Sequence, residues 1–316
     1  MHFARIALAA LALGLTQGAI VRADVLDTKL PAQAWSKTFG NMRVQKYGSG
    51  SPALILVPGL ACGPWSYRDT IGREAAKHAV YAVTLAGFDG LPAGEDATLD
   101  AAEASIVTLI TSEHLDKPVL VGHSLGGTLA LRFGIDHSDL VRAVVAVDGL
   151  PVFASLAEAS AEQRAAAAQQ FYTSVNSASA ADYAKVETGY VDDYVTDQTL
   201  AAKVATLALR SDQKAVAEYG KELQLLDLRP QLSKITVPAA EIAPLPSLPL
   251  PSYMPAFMAQ MSASDRSAVT IGFYQSLLAG APAIKVLPVA DSRHFIMLDQ
   301  PAAFASTLDG FIATLK

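Results

Sequence analysis

The hexapeptide Gly-His-Ser-Leu-Gly-Gly at residues 122–127 constrains the fold more than any other part of the chain. It directly follows an apolar run, residues 118–121, that has the composition of a buried strand, and it opens a helical pattern over residues 125–137. Glycines two residues on either side of Ser124 allow a strand and a helix to pass close together, and the serine between them takes a strained turn conformation. The pattern therefore predicts a strand, a sharp turn at Ser124 and a helix.

Short apolar runs rich in Val, Ile and Leu recur along the chain, and helical patterns separate several of them. They predict strands at residues 53–57, 80–85, 118–121, 143–147, 237–242 and 284–289, and helices at residues 66–78, 99–114 and 125–137. Such alternation is typical of an α/β fold in which helices cover both faces of a mainly parallel, twisted sheet. Residues 39–47 are expected to form a leading antiparallel hairpin arm.

Residues 1–23 have the composition of a signal peptide. One arginine precedes an apolar run, residues 6–15, and smaller, more polar residues follow. Val21 and Ala23 suit a cleavage site, so the mature chain is expected to begin at Asp24, in the periplasm or outside the cell. The apolar run is too short to span a bilayer well, and we expect no membrane span after cleavage; an uncleaved anchor helix is the alternative.

One long interval breaks the alternation of strands and helices. Residues 151–226 contain no strand-like run and are rich in Ala, Gln and Glu, which predicts a helical cap inserted into the core. The core is therefore expected to comprise residues 24–150 and 227–316. Prolines spaced through residues 243–255 predict an extended surface loop or lid edge.

The composition excludes several classes of function. The net charge is −6, from 24 Lys and Arg against 30 Asp and Glu, and no basic block would attract nucleic acid. Cys62 is the single cysteine, which excludes an intrachain disulfide, and no paired-cysteine or His-Glu-x-x-His spacing indicates a metal site. A phosphate-binding Gly-x-x-x-x-Gly-Lys loop is also missing from the sequence. We therefore expect neither a cofactor nor a metal.

Gly-His-Ser-Leu-Gly-Gly in its predicted context resembles the nucleophile elbow of the α/β-hydrolase superfamily, and the resemblance covers nearly all of the chain after residue 23. It implies the α/β-hydrolase fold, with Ser124 as the nucleophile and the Leu125 amide as the first donor of an oxyanion hole. Val-Pro-Gly-Leu at residues 57–60 follows a predicted strand, where the family places the second donor; that amide would belong to Leu60 or Ala61.

The resemblance also implies a base and an acid. His294 follows the last predicted strand in a loop similar to the family's final one, where His-Phe precedes Asp-x-Pro, and it is the expected base. The commonest position for the acid, after the strand at residues 237–242, has no aspartate. We therefore favour Asp148, at the end of the preceding predicted strand, with Glu241 and Asp291 as alternatives. All three preserve the order serine, acid, histidine.

An activated serine, a late histidine and two converging amides predict acyl transfer through an acyl-enzyme, with water as acceptor. Hydrolysis of a small-molecule carboxylic ester is the first interpretation, and amide or lactone hydrolysis by the same groups is the alternative. The predicted cap favours substrates with an apolar acyl or alcohol part. A non-catalytic binding protein of the same fold is the alternative from another class. The sequence leaves the oligomeric state open.

Overall fold

Eight strands form one sheet in this protein, whose computed structural model describes residues 25–281 and 283–315. The expected signal peptide therefore lies outside the described residues. The strands are β1 (Gln33–Phe39), β2 (Met42–Tyr47), β3 (Leu54–Val57), β4 (Val80–Thr84), β5 (Val119–His123), β6 (Ala143–Val147), β7 (Ala239–Leu245) and β8 (Ile284–Ala290). Their order across the sheet is β1-β2-β4-β3-β5-β6-β7-β8.

Strand β2 pairs antiparallel with both β1 and β4, and every later neighbouring pair in the sheet is parallel. The predicted α/β-hydrolase fold, with its mainly parallel sheet, is thereby confirmed. The expected hairpin arm at residues 39–47 is the turn and second strand of a longer hairpin, because its first strand begins at Gln33. Polar and charged residues dominate that first strand, which lies at the sheet edge and is mostly exposed.

Ten α-helices connect or cover the strands in the described residues. They are α1 (Arg68–Glu74), α2 (Leu99–Ser112), α3 (Leu125–Asp136), α4 (Ala161–Ser177), α5 (Ala180–Tyr194), α6 (Gln198–Ala208), α7 (Gln213–Leu225), α8 (Ala263–Leu277), α9 (Ile296–Asp299) and α10 (Pro301–Ile312). None of these described helices combines the length and the apolar character needed to cross a membrane.

The two faces of the sheet are buried in separate apolar clusters. Every residue of β5 and β6 is buried, as near-continuous apolar strands covered on both sides should be. Side chains alternate between the faces, so that Val144 belongs to one cluster and Val145 to the other. Because each fully buried Val or Leu contributes about 1.5–3 kcal/mol, the burial of these central strands stabilises the sheet below the loops at their carboxyl ends.

Helices α4 to α7 occupy the region predicted as a cap, residues 151–226, and no strand forms within those residues. Helix α4 packs along α7, and α5 packs against α6. The two ends of the segment meet at the base, where Val152 forms an isolated bridge with Asp227 and the Leu228 amide donates to the Pro151 carbonyl at 2.7 Å. The segment thus leaves the sheet and returns to it at nearly the same place.

The strand expected at residues 237–242 is displaced towards the carboxyl end, because β7 continues to Leu245 and includes Pro244. Its pairing with β6 ends at Ile242, whereas its pairing with β8 continues to Leu245. Residues 243–245 therefore have a strand neighbour on one side only, and at such an edge position a proline removes no hydrogen bond from the missing partner. The proline-rich loop begins after this strand, later than predicted.

Two glycine-to-alanine substitutions should have opposite effects on stability. A Cβ atom at Gly122 would lie 1.8 Å from the Gly126 carbonyl oxygen, so Gly122→Ala should lower the free energy of unfolding by roughly 3 kcal/mol. Gly310 lies inside α10, where an added Cβ would have no described atom within 4 Å, and Gly310→Ala should raise that energy by about 0.5–1 kcal/mol. Urea unfolding of both variants measures the difference; similar effects would contradict the close approach of β5 and α3.

Candidate active site

Ser124 lies at the sharp turn between β5 and α3, as the glycine spacing predicts. Its backbone has φ 53° and ψ −116°, in a region that non-glycine residues rarely occupy, and its amide donates to the Val147 carbonyl at 2.9 Å. A Cβ atom at Gly126 would lie 2.4 Å from the Val57 carbonyl oxygen. The close packing of the helix against β3 thus requires glycine there, and it holds the strained turn in place.

His294 and Asp148 form a direct pair at the carboxyl ends of two strands. The Nδ1 atom of His294, in the loop after β8, lies 2.6 Å from Oδ2 of Asp148, the first residue after β6. Asp148 has φ 47°, and its amide donates to the Ile242 carbonyl at 3.0 Å, which fixes the turn that presents the carboxylate. Since Nδ1 is used for this contact, Nε2 is the ring nitrogen left to face a substrate or Ser124.

The two alternative acids are placed differently. Glu241 lies within β7 and is fully buried; its Oε1 accepts from the Gly149 amide at 3.3 Å, and its Oε2 has no hydrogen-bond partner in the described part of the chain. Burial, and secondly the negative charge of Asp148, raise the pKa of Glu241 well above its usual value. Asp291 is exposed in the turn after β8. Of the three candidates, Asp148 is the one whose carboxylate contacts His294.

Tyr274 is a site residue that the sequence analysis did not identify. It lies on α8, is 6% exposed, and its hydroxyl donates a short hydrogen bond to Oδ1 of Asp148. Burial and the neighbouring Asp148 charge raise the pKa of Tyr274 well above its usual value, so the phenol keeps its proton. Both oxygens of Asp148 are thereby engaged, one by the imidazole and the other by this phenol, and the carboxylate is held in one orientation.

The expected oxyanion amides lie beside Ser124. A hydrogen bond of 3.1 Å from the Cys62 amide to the Gly59 carbonyl closes a tight turn over Leu60 and Ala61, and Ala61 has φ 58°. A Cβ atom at Gly59 would lie 3.2 Å from the Ser124 Cβ, which shows how closely this turn passes the serine. The turn's own hydrogen bond uses neither the Leu60 nor the Ala61 amide.

The Leu125 amide is the first of helix α3. Amides in the first turn of a helix have no acceptor within that helix, and the helix dipole favours negative charge in front of them. The Leu125 amide and the turn over Leu60 are thus both next to Ser124, and their role as oxyanion donors stays a prediction.

His123 contributes to the floor of the site rather than to its proton chemistry. Its Nε2 donates to the carbonyl oxygen of His294 at 3.0 Å, and its ring packs against His294 and Phe295, with centroids 4.6 and 4.8 Å apart. Burial, with a further effect of the His294 charge, lowers the pKa of His123 well below its usual value, so the ring stays neutral. It supports the loop that carries His294.

Ser124 and His294 open into one cavity of about 200 Å³ between the sheet and the cap. The turn after β3 forms one wall, and side chains of α4, α5 and α7 form the roof. Beside the cavity, three tyrosines stack in sequence: Tyr190 on Tyr194 with centroids 4.1 Å apart, and Tyr194 on Tyr253 at 4.9 Å. The edge of Tyr194 also meets the His294 ring at 4.6 Å.

The loop that carries His294 is attached to the cap by two residues that the sequence analysis left without a role. Arg293 donates to the carbonyl oxygens of Asp192 and Asp193 at the end of α5, each at 3.2 Å, and to that of Pro249 at 3.0 Å. Asp299 is buried; it accepts from the Thr196 amide at 2.9 Å and from the Arg293 amide at 2.8 Å.

One group in the described residues has the composition of a metal site, and it lies away from this cavity. Potential ligand atoms of Glu74, His78 and Asp309 lie within 4.8 Å of one another. The Nζ atom of Lys77 is 3.1 Å from Glu74 and 2.7 Å from Asp309, so a side-chain ammonium already supplies positive charge between the carboxylates. We assign this group to the contact between α1 and α10.

Comparison with known families agrees with the geometry. Residues 54–307, which include both halves of the parallel sheet and the region between them, match the model of the alpha/beta hydrolase family. The chain belongs to this family. The strand-turn-helix at Ser124 and the histidine in the loop after the last strand are consistent with this membership, and Asp148 is the candidate acid that contacts that histidine.

Individual relatives are similar over part or all of the fold. A carbendazim hydrolyzing esterase from a Nocardioides strain is 33% identical over 98 residues, which is 30% of this chain and 40% of that protein. This match thus spans less than half of the curated relative. The crystal structure of the enol-lactonase from Burkholderia xenovorans LB400 has a TM-score of 0.70 at 14% identity, covering 88% of this chain and 100% of that one. A thermophilic esterase from Thermogutta terrifontis has the same score and identity, with 89% and 99% covered.

The buried Glu241 should make stability fall as the pH rises. Its raised pKa means that it stays protonated in the folded protein at a pH where the unfolded chain, with a glutamate pKa of about 4.3, has ionised. Keeping this proton in the folded state lowers the free energy of unfolding. The effect is absent below about pH 4 and grows as the pH rises towards the folded-state pKa. Glu241→Gln is neutral at every pH, so the difference between its free energy of unfolding and the wild-type value should shift in favour of the variant as the pH rises above about 5.

Urea unfolding at several pH values measures this difference. Glu158→Gln, which replaces an exposed glutamate in the cap segment, is the matched control and should follow the wild-type curve. Parallel curves for Glu241→Gln and wild type would show that Glu241 is ionised in the folded protein.

Proposed function

We propose that this protein is a serine hydrolase that cleaves carboxylic esters through an acyl-enzyme on Ser124. The observation that carries the proposal is the joint placement of three groups: a serine in a strained turn and a histidine, His294, both line one cavity, and Asp148 lies 2.6 Å from the His294 Nδ1. A serine hydroxyl, a histidine and a carboxylate that contacts this histidine are the groups that activation of a serine nucleophile requires.

In the proposed reaction, Nε2 of His294 takes the proton of the Ser124 hydroxyl as its oxygen attacks the ester carbonyl. Asp148 stabilises the imidazolium that forms and keeps the ring in the tautomer that leaves Nε2 unprotonated. The imidazolium then returns the proton to the alcohol as the bond between carbonyl carbon and alcohol oxygen breaks. Water repeats the sequence on the acyl-enzyme, which releases the acid and restores Ser124.

The tetrahedral intermediate carries a negative oxygen, and two backbone amides would stabilise it. The Leu125 amide, at the start of α3, is one donor, and the Leu60 amide, with Ala61 as its neighbour in the turn after β3, is the other. Each such donor contributes about 3 kcal/mol to transition-state stabilisation in enzymes of this kind. The turn over Leu60 has its own hydrogen bond from Cys62, and it can hold the amide without rearrangement.

Two observations support an ester as the substrate. The cavity wall is predominantly apolar, so an uncharged acyl or alcohol part can be buried in it. A relative at 33% identity over 98 residues is named a carbendazim hydrolyzing esterase, and a protein of the same fold is described as a thermophilic esterase.

Substitution of Ser124, His294 or Asp148 should remove esterase activity, whereas substitution of Glu241 should not. Ser124→Ala, His294→Ala and Asp148→Asn are each expected to lower kcat/KM on short-chain p-nitrophenyl esters by about a thousandfold or more, because each interrupts the same proton transfer. Glu241→Gln, a neutral replacement of a carboxyl that does not contact His294, should stay within about threefold of wild type. Steady-state hydrolysis with the unfolding curves of each variant measures these effects.

A fluorophosphonate probe provides a test independent of substrate. It should label Ser124 in the wild-type protein and fail to label Ser124→Ala, with the modified peptide identified by mass spectrometry. A wild-type protein that neither hydrolyses any ester nor reacts with the probe would contradict the proposal. Activity lost in Glu241→Gln but kept in Asp148→Asn would reassign the acid.

We also propose that the protein is exported, with cleavage after Ala23. The support is the sequence of residues 1–23, whose charged start, apolar run and small residues at Val21 and Ala23 suit a signal peptidase. Expression of the full chain in a Gram-negative host should yield protein in the periplasm or medium that begins at Asp24, as determined by N-terminal sequencing. Cytoplasmic protein that retains residues 1–23 would contradict export.

A further inference from the structure

The cavity that Ser124 lines is mainly apolar, and Ser174 and Gln224 are among the polar residues of its roof. Phe153, Phe171 and Tyr190 are among the aromatic side chains that line it, and the described lining residues include neither lysine nor arginine. Glu187 of α5 is the one carboxylate among these described residues. An acidic side chain in such a wall serves no packing purpose, since burying an ionised carboxyl without a partner is unfavourable.

Helix α5 presents Glu187 to the cavity together with its neighbours along one face. Tyr183, Glu187, Tyr190 and Val191 all line the cavity, and their spacing of three and four residues places them on a single side of the helix. The opposite side of α5 carries exposed residues such as Lys185 and Thr188. The direction of Glu187 therefore follows from the packing of the whole helix.

Glu187 forms no hydrogen bond or ion pair with any other described residue. Beside it, Tyr183 is 7% exposed, and its hydroxyl likewise has no hydrogen-bond partner in the described chain. The charge of Glu187 reaches Cys62 as well: burial raises the pKa of that thiol, and Glu187 raises it further. A carboxylate acceptor and a phenol thus face the same cavity, and neither is paired with another group in the described part of the protein.

We infer that the cavity binds an ammonium group carried by the substrate, with Glu187 as the residue that selects it. This inference rests on the proposed esterase function and narrows its substrates to esters with an apolar body and one cationic nitrogen. The carboxylate of Glu187 supplies the counter-charge, and Tyr190, Phe153 and Phe171, which line the same cavity, supply aromatic rings of the kind that bind alkylammonium groups in proteins. An uncharged ester of the same shape fills the cavity but leaves Glu187 unpaired.

The ionisation of Glu187 should make the preference for a cationic substrate depend on pH. Burial raises the pKa of this carboxyl to about 7. The preference for a cationic substrate should therefore increase as the pH rises through about 7, where the carboxyl becomes charged. The other titratable groups that face the cavity are Cys62, Tyr183, Tyr190, His123 and His294. Effects of His294 on the reaction cancel when a cationic ester and its neutral isostere are compared at the same pH.

Two pairs of isosteric esters test the inference, one for each side of the scissile bond. On the alcohol side the pair is acetylcholine and 3,3-dimethylbutyl acetate. On the acyl side it is the p-nitrophenyl esters of 5-(trimethylammonio)pentanoic acid and 6,6-dimethylheptanoic acid. In at least one pair, wild-type kcat/KM should be higher for the cationic member by about tenfold or more, and Glu187→Gln should reduce that ratio to about one.

Glu158→Gln removes the same charge from an exposed position in the cap segment, and it should keep the wild-type ratio. A ratio near one in both wild-type pairs, or one that survives in Glu187→Gln, would overturn the inference while leaving the esterase proposal intact. Failure of the esterase proposal would give a different result, because the neutral esters would not be hydrolysed and the fluorophosphonate would not label Ser124.

Binding can be measured without catalysis. Titration calorimetry of Ser124→Ala at about pH 8 compares (6-hydroxyhexyl)trimethylammonium with its neutral isostere, 7,7-dimethyloctan-1-ol. The cation should bind at least about fivefold more tightly than the neutral alcohol, and introducing Glu187→Gln into the same variant should remove the difference. Equal affinities in both backgrounds would reject the ammonium site even for a protein without esterase activity.

Discussion

The close approach of helix α3 to the sheet is the constraint on which the rest of the site depends. A Cβ atom at Gly126 would meet the Val57 carbonyl, and one at Gly127 would lie 2.7 Å from the Gly149 Cα. The helix therefore touches the loops after three different strands, β3, β5 and β6. Because the sheet below is buried on both faces, those loops cannot shift independently, and the left-handed turn at Ser124 is held by its surroundings rather than by its own conformational preference.

Two carboxyl groups, those of Asp148 and Glu241, lie next to this turn, and they differ in hydrogen bonding and in burial. Asp148 has hydrogen-bond donors on both oxygens, from His294 and from Tyr274, and these stabilise its charge. Glu241 has one weak donor and is fully buried, so its proton is retained. A single negative charge is thereby placed against the imidazole, which is the arrangement a histidine base requires. If both groups ionised, their repulsion would disturb the pair that orients the ring.

Local sequence patterns were sufficient to predict those parts of the structure that depend on residues close together in the chain. The glycine spacing around Ser124 predicted the turn, and apolar runs predicted the parallel strands because a strand buried on both faces must be apolar throughout. Asp148 could be favoured over Glu241 because it follows a strand instead of lying inside one. Tyr274 could not be found in this way: it reaches Asp148 from 126 positions away, and nothing near it in sequence marks that contact. The roles of Arg293 and Asp299 likewise depend on where the cap helices come to lie.

The attachment of the cap to the histidine loop has a consequence for how molecules enter. Arg293 binds the end of α5 and the proline-rich loop, and its neighbour in sequence is the residue that contacts Asp148. A hinge motion that lifted the end of α5 would break these hydrogen bonds and pull on the backbone of His294. Entry of a molecule on that side would therefore disturb the contact between His294 and Asp148. Within the described residues, α4 and α7 have no such hydrogen bonds to the histidine loop, so a displacement of these two helices would leave that contact in place.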